Sequence, residues 1–170
     1  PELLRILLDD YRLDWDAAWR VTTKSINYTN HTLLPEALEK WPMSMFGSLL
    51  PRHLELILEI NHHFLELVRA AFPDDEARIS RMSIIDETGE KYIRMAHLAC
   101  VGSSAINGVA ALHTELLKSG IMKDFYELWP DKFSNKTNGV TPRRWVVLNN
   151  QKLATLISEK IGSDWVKDLY

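Results

Sequence analysis

The sequence predicts a helix-rich α/β fold, and three features indicate this class. The longest amphipathic stretch, 48–72, carries apolar residues at helical spacing and charged residues on its opposite face. Segments 25–32 and 83–101 have the alternating or continuous apolar pattern of short strands. A strand ending near residue 101, a glycine turn and a helix over 105–117 would form the unit from which doubly wound sheets are built.

Caps and turn residues define the remaining elements in chain order. The predicted helices cover 1–13, 14–24, 34–41, 48–72, 74–82, 105–117, 122–129, a segment that begins at 141, and 150–161. Asp14 and Asn150 have side chains that accept hydrogen bonds from a first helical turn, whereas Gly120 and Gly162 are typical helix ends. A hairpin is predicted to join 83–86 to 91–101. So few strands cannot complete a sheet, which favours a fragment of a longer protein.

A polar loop at 135–140 leads into the helix that begins at residue 141. Thr141 suits the N-cap and Pro142 the first helical position, where its missing N–H costs nothing. Gly139 allows a positive φ or a close approach of the backbone. Such a loop can hold a hydroxyl-rich or anionic ligand, although an ordinary capped helix after a turn has the same pattern.

Composition excludes several classes of protein. The net charge of −3 and the mixing of basic with acidic residues argue against a nucleic-acid partner. A single cysteine favours a reducing, cytoplasmic setting. No stretch is long and apolar enough for a membrane span, and there is no signal-peptide pattern. The chain begins inside a predicted helix and ends on an amphipathic segment, 165–170, that has no stop signal, so we expect a chain cut at both sides.

Few residues have the spacing of a catalytic motif. The sequence lacks a Gly-rich phosphate loop, a serine nucleophile elbow and a cysteine pair, and its six histidines lack metal-ligand spacing. His31 lies in a polar turn at a predicted strand end, where α/β proteins bind ligands, but a surface histidine would look the same. Glu87 and Lys91 form either a polar patch for a sugar or a solvated turn.

Seven residue blocks resemble those of the α-glucan phosphorylases, which act on glycogen, starch or maltodextrin. In order they are YTNHT at 28–32, LPEALEKWP at 34–42, LPRH at 50–53, MAHL at 95–98, NGVA at 107–110, KDFY at 123–126 and NKTNGVTPRRW at 135–145. The resemblance covers essentially the whole chain. It implies a fragment of a two-domain, Rossmann-like glycosyltransferase-B-type fold. The implied reaction is phosphorolysis of the terminal α-1,4-linked glucosyl unit to glucose 1-phosphate.

The resemblance also implies roles for individual residues. His31 matches the catalytic histidine that contacts the glucosyl 6-hydroxyl, with its backbone carbonyl facing the anomeric carbon. Asn138 matches the asparagine that bonds the 4- and 6-hydroxyls. Val109 and Ala37 match small apolar residues that line the sugar pocket, and Trp145 matches a residue beside the cofactor.

A separate surface site that stores the polysaccharide in animal enzymes is matched by Glu87, Lys91 and Asn61. Leu58 stands where that site has its key aromatic residue, so the stacking surface for a sugar is absent there.

The expected cofactor is pyridoxal 5'-phosphate, but its attachment lysine and the basic residues that hold the substrate phosphate match nothing in this chain. We therefore expect the fragment alone to be inactive and to bind no cofactor. The implied domains are 1–136, the last part of an N-terminal domain, and 137–170, the start of a C-terminal cofactor-binding domain. The full-length enzyme would be a cytoplasmic homodimer that uses α-1,4-glucan and inorganic phosphate.

Two alternatives start from the same residues. One is a standalone sugar-binding module that uses the His31 and Asn138 region. The other is an interaction protein with the long helix 48–72 as its partner face.

Overall fold

The computed structural model describes residues 1–169, which form two compact units, Pro1–Thr137 and Asn138–Tyr170, the second described as far as residue 169. The α-helices of the first unit are α1 Glu2–Arg5, α2 Trp15–Ser25, α3 Met43–Leu49, α4 Pro51–Ala71, α5 Glu76–Met82, α6 Met95–Gly102, α7 Ala111–Ser119 and α8 Lys123–Leu128. Its strands are β1 Tyr28–Thr29, β2 Lys40–Pro42, β3 Ile85–Asp86, β4 Tyr92–Arg94, β5 Ile106–Gly108 and β6 Phe133–Asn135. Shorter turns are the π-helical Ile6–Asp10 and the 3-10 segments Pro35–Ala37 and Pro130–Lys132.

These strands form two small sheets, which confirm the predicted α/β class. One is parallel, in the order β1-β5-β6, with Thr29 opposite Asn107 and Asn107 opposite Ser134. The other is antiparallel, in the order β2-β4-β3. Parallel strands need crossover connections, and the helices between β1, β5 and β6 supply them.

The long amphipathic stretch is helix α4, as predicted. Its buried side chains recur at helical spacing: Leu56, Ile57, Ile60, Phe64 and Val68. They join one hydrophobic core with buried residues of α6, β5, α7 and α8. Since burying one such side chain contributes about 1.5–3 kcal/mol, the buried face of α4 contributes substantially to the stability of the first unit.

The predicted strand 91–101 and the helix predicted after it are partly wrong. Only Tyr92–Arg94 is a strand, and the chain then continues as helix α6. A strand, β5, occupies Ile106–Gly108, where the sequence predicted the start of a helix. Helix α6 buries residues on several sides, including Leu98 and Cys100, so its sequence lacks the polar face that would reveal helical periodicity.

The helix predicted over 34–41 is also wrong. Pro35–Ala37 is a 3-10 turn, and Lys40–Pro42 is strand β2. Strand β2 pairs with β4, with Trp41 opposite Ile93. A partner about fifty residues away along the chain therefore decides the conformation of this segment, which local propensity cannot reveal.

The hairpin between β3 and β4 is confirmed, and it buries a carboxylate. Asp86 accepts a 2.6 Å hydrogen bond from the Thr88 hydroxyl and forms ion pairs with Lys40 at 3.1 Å and Arg94 at 3.2 Å. The Thr88 hydrogen bond, followed by these cations, holds the pKa of Asp86 well below its usual range. Gly89 has a φ of +106° and so allows the turn.

The second unit consists of the π-helical segment Arg143–Leu148, helix α9 Gln151–Ile161 and the 3-10 turn Asp164–Val166. The Asn150 side chain caps α9 by accepting from the Leu153 N–H at 3.1 Å, as the sequence predicted. Gly162, with a φ of +85°, ends it. The assignment of the two units to two domains of a larger enzyme stays a prediction. No helix within residues 1–169 is long and apolar enough to cross a membrane.

Substitution of Gly108 by alanine should destabilise the first unit. A Cβ there would lie 2.8 Å from the His113 Nδ1 atom and 2.9 Å from the Thr114 Cα atom, with Thr114 Oγ1 closer still. Backbone cannot yield as a flexible side chain can, so we expect a loss of about 1–3 kcal/mol in the free energy of unfolding. Gly102→Ala is the matched control, because a Cβ at Gly102 meets nothing within 4 Å. Urea denaturation that ranks the two variants equally would contradict the prediction.

The free energy of unfolding should decrease as the pH is lowered from about 6.5 to about 4, because of His97. Burial lowers the pKa of His97 to about 4, and its Nδ1–H donates to the Ser83 carbonyl at 3.0 Å. In this pH window the unfolded chain binds the proton and the folded chain does not, so acid favours unfolding. His97→Asn, which keeps a donor near Nδ1, should weaken the pH dependence of the urea midpoint. The exposed His62, replaced by Asn, is the control. Identical pH dependence of wild type and His97→Asn would refute this assignment.

Candidate functional site

The carboxyl ends of the three parallel strands gather several polar residues at one sheet edge. His31 follows β1 by two residues, Val109 directly follows β5, and Lys136 directly follows β6. In open α/β sheets this is the edge where ligands bind. The structure therefore brings two of the predicted site residues, His31 and Val109, to a common edge.

Hydrogen bonds of Asn30 fix the turn that carries His31. The Asn30 side chain is buried, donates to the Tyr28 hydroxyl at 3.1 Å and accepts from the Thr32 N–H at 3.1 Å. The Asn30 N–H donates to the Asn107 carbonyl at 2.9 Å. His31 itself is exposed, so its ring is available to a ligand while its backbone is held in place.

The end of β5 is fixed by a histidine that the sequence interpretation missed. The Val109 N–H donates to His113 Nδ1 at 3.1 Å. Because Nδ1 is the acceptor, the proton of the neutral ring belongs on Nε2. The Nε2 atom is buried and has no hydrogen-bond partner among residues 1–169. The spacing of four between Val109 and His113 is the one signal in the sequence that could have suggested this contact.

The three strand ends are joined by side chains as well as by the backbone. The Thr29 hydroxyl donates to Asn107 Oδ1 at 2.7 Å, which links β1 to β5. The Thr114 hydroxyl donates to the Ala110 carbonyl at 2.8 Å and to Asn135 Oδ1 at 3.2 Å, which links helix α7 to β6. These contacts join residues up to 78 positions apart, so only the fold could reveal them.

The other predicted site residues are Ala37 and Asn138 for the sugar and Trp145 for the cofactor, and all three are exposed. Ala37 is exposed at the end of the 3-10 turn between β1 and β2. Asn138 and Trp145 belong to the second unit, and both are exposed, Trp145 by 56%. Within residues 1–169, neither side chain makes a hydrogen bond that would prevent contact with a ligand.

The predicted storage-site residues are divided between a surface pair and a structural contact. Lys91 and Glu87 form a 2.6 Å ion pair across the hairpin, and both are exposed. The Asn61 side chain accepts from the Ile84 N–H at 2.8 Å and donates to the Ser83 hydroxyl at 3.3 Å. Asn61 thus fastens helix α4 to the start of β3. Leu58 is 42% exposed on the same helix.

Amides, hydroxyls, an imidazole and the Lys136 ammonium are the polar groups of the sheet edge. Such groups donate or accept hydrogen bonds without carrying a fixed negative charge, and this suits a neutral, hydroxyl-rich ligand. Within residues 1–169, no group of three or more histidine, cysteine, aspartate or glutamate side chains could hold a metal ion.

Known proteins match this chain over its whole length. The carbohydrate phosphorylase family model matches residues 1–170. Glycogen phosphorylase of Synechocystis sp. is 62% identical over 99% of the chain, and the muscle forms of glycogen phosphorylase from Mus musculus and Homo sapiens are 60% and 59% identical. The chain spans 20% of the length of each of these relatives.

Loss of the acceptor at His113 should loosen the end of β5. His113→Leu leaves the Val109 N–H unpaired in a partly buried place, which should cost about 1–3 kcal/mol of stability. His113→Asn keeps an acceptor near the Nδ1 position and should retain most of that stability. Amide hydrogen exchange at Val109 is the specific measurement: we expect faster exchange in the Leu variant and near wild-type exchange in the Asn variant. Equal exchange in all three proteins would contradict the role of His113.

Proposed function

This chain belongs to the carbohydrate phosphorylase family, and we propose that it forms part of an α-glucan phosphorylase. The proposed reaction breaks the C1–O bond of the terminal α-1,4-linked glucosyl unit. A phosphate oxygen bonds to C1 and gives glucose 1-phosphate, and the departing 4-oxygen takes up a proton. The relatives that are named glycogen phosphorylase support this reaction, and the turn around His31 is the structural observation that carries it.

His31 is proposed to act through both its ring and its backbone. The exposed ring can bond the glucosyl 6-hydroxyl, and the backbone carbonyl is proposed to face the anomeric carbon. Positive charge develops at that carbon as the C1–O bond breaks. A carbonyl dipole that is already oriented stabilises this charge without reorganising during the reaction. The buried amide of Asn30 supports this role, because it holds the turn before any sugar binds.

Val109, Ala37 and Asn138 are proposed to complete the sugar pocket. Val109 and Ala37 provide small apolar surfaces against the sugar ring. Asn138 has one amide that can both donate to and accept from the 4- and 6-hydroxyls. Its exposed side chain is free to make these bonds.

Pyridoxal 5'-phosphate is the proposed cofactor, and its phosphate would supply proton-transfer chemistry when it is bound. The exposed indole of Trp145 suits a packing contact beside it. The attachment lysine is proposed to lie outside this chain, so the 170 residues alone should bind no cofactor and should be inactive.

The full-length protein is proposed to be a cytoplasmic homodimer that uses α-1,4-glucan and inorganic phosphate. We also propose 1–136 and 137–170 as parts of its N-terminal and C-terminal domains. Glu87, Lys91 and Asn61 are proposed as the remnant of a glucan storage site. Two features limit glucan binding at this storage site. The Asn61 side chain already joins α4 to β3, and Leu58 provides no ring for stacking.

Removal of the His31 ring in the full-length protein should lower turnover more than it weakens glucan binding. We expect kcat to fall at least about tenfold in His31→Ala, with a smaller change in KM, because the lost contacts act mainly in the transition state. Asn138→Ala should cost about 1–3 kcal/mol in kcat/KM, since sugar hydroxyls are left unpaired. The exposed His62 on α4, replaced by Ala, is the control. Phosphorolysis assays in which His31→Ala and Asn138→Ala match wild type, as the His62→Ala control should, would overturn the proposed roles.

A further inference from the structure

A cleft of about 400 Å³ lies between helices α2 and α4, the end of α6 and the 129–132 segment. Its volume falls in the range of sites for small ligands. The residues that matter for its chemistry are Trp15, Trp19, His63, Ser103, Trp129 and Lys132. Ser104 at its rim donates through its N–H to the Ile26 carbonyl, just before β5 and β1 begin. The cleft is therefore at the amino ends of the parallel strands, whereas His31 is at their carboxyl ends.

Aromatic rings form fixed walls of this cleft. The Trp15 and Trp19 rings are stacked with centroids 6.2 Å apart, and the His63 ring lies 5.1 Å from Trp15. Trp129 packs against the buried Phe64 ring at 5.6 Å. Rings held in this way offer apolar surface at little entropic cost on binding.

A buried hydroxyl in the cleft, that of Ser103, has no hydrogen-bond partner within residues 1–169. Ser103 is 1% exposed, and its Oγ atom makes no hydrogen bond within residues 1–169. Native proteins rarely leave a buried hydroxyl unpaired, because the lost hydration costs about 1–3 kcal/mol. Since Ser103 lines the cleft, a ligand with hydroxyl groups would satisfy it.

The charges around the cleft favour a neutral ligand. The Lys132 ammonium lies 3.7 Å from the centre of the Trp129 ring and donates to the Cys100 carbonyl at 3.4 Å. That carbonyl belongs to the last turn of α6, where the helix dipole is negative. Lys132 therefore already has compensating partners, and Asp16 adds a carboxylate to the lining. An anion would meet this carboxylate and the negative helix end, whereas a cation would meet Lys132.

We propose that this cleft is a second binding site for a short α-glucan segment. The apolar faces of glucosyl rings would pack on the tryptophans, and their hydroxyls would bond Ser103, Asp16 and Lys132. The identity of the sugar rests on the proposed function. The tryptophans also supply what the proposed storage site lacks, because Leu58 provides no ring there.

Hydroxyl-radical footprinting of the full-length protein tests this directly. With maltoheptaose present, mass spectrometry should show reduced oxidation of Trp15, Trp19 and Trp129. Trp41, 37% exposed on β2 outside the cleft, should be unchanged. An absence of protection at the three cleft tryptophans, or equal protection at Trp41, would overturn the proposal. Stronger protection by the aromatic anion 8-anilinonaphthalene-1-sulfonate than by maltoheptaose would overturn it in favour of an anion site.

Ser103→Ala provides the second measurement, because it removes only an unpaired oxygen and should leave the fold intact. We expect the maltoheptaose concentration for half-maximal protection to rise about three- to tenfold. Ser80→Ala, at an exposed position outside the cleft, should match wild type. An unchanged concentration in Ser103→Ala would count against the site. A phosphorolysis assay on the same protein distinguishes the proposed function from the cleft site. Tryptophan protection without activity would contradict only the proposed function. Activity without tryptophan protection would contradict only the cleft site.

Discussion

Parallel pairing of three very short strands is the constraint on which the first unit depends. Strand β1 has two residues and β5 and β6 have three each, so the backbone ladder alone offers few hydrogen bonds. The Thr29 hydroxyl extends it across one pair by donating to the Asn107 side chain. Across the other pair a further backbone bond extends it, from the Lys136 N–H to the Gly108 carbonyl. Without this pairing the turn that carries His31 would have no fixed neighbour. The position of the candidate site is thus a consequence of strand register.

Local signals in the sequence predicted the elements whose conformation local chemistry decides. Asp14 caps α2 by accepting from the Ala17 N–H at 2.8 Å, and Asn150 caps α9 in the same way. Segments decided by distant partners were predicted wrongly. Helix α6 looks apolar all round because the core surrounds it, and β2 exists because β4 lies beside it. The sequence contains no local pattern for either circumstance.

In the candidate site, too, the sequence predicted some residues and missed those whose roles depend on distant partners. The polar turn at a strand end singled out His31, and the resemblance to a family added Val109 and Asn138. The supporting residues were missed, because their importance depends on which atoms they meet. His113 matters because its Nδ1 lies 3.1 Å from the Val109 N–H, and Asn107 matters because it meets Thr29. Ser103 is notable only because its buried hydroxyl makes no hydrogen bond within residues 1–169, and this cannot be read from a sequence.

The placement of the carboxylates limits the role that the sheet edge could have in the proposed reaction. The residues that follow the three parallel strands, 30–32, 109–110 and 136–137, include no aspartate or glutamate. The buried or partly buried carboxylates are used elsewhere in structural ion pairs, such as Asp86 with Arg94 at 3.2 Å and Asp124 with Arg81 at 2.8 Å. A carboxylate held in this way has its charge stabilised and is a poor proton donor near neutral pH. On the proposed function, this edge would orient the sugar and stabilise positive charge at its anomeric carbon, but the residues that follow the strands include no carboxyl group for proton transfer. The proton transfer of the proposed reaction would therefore have to come from groups outside this edge.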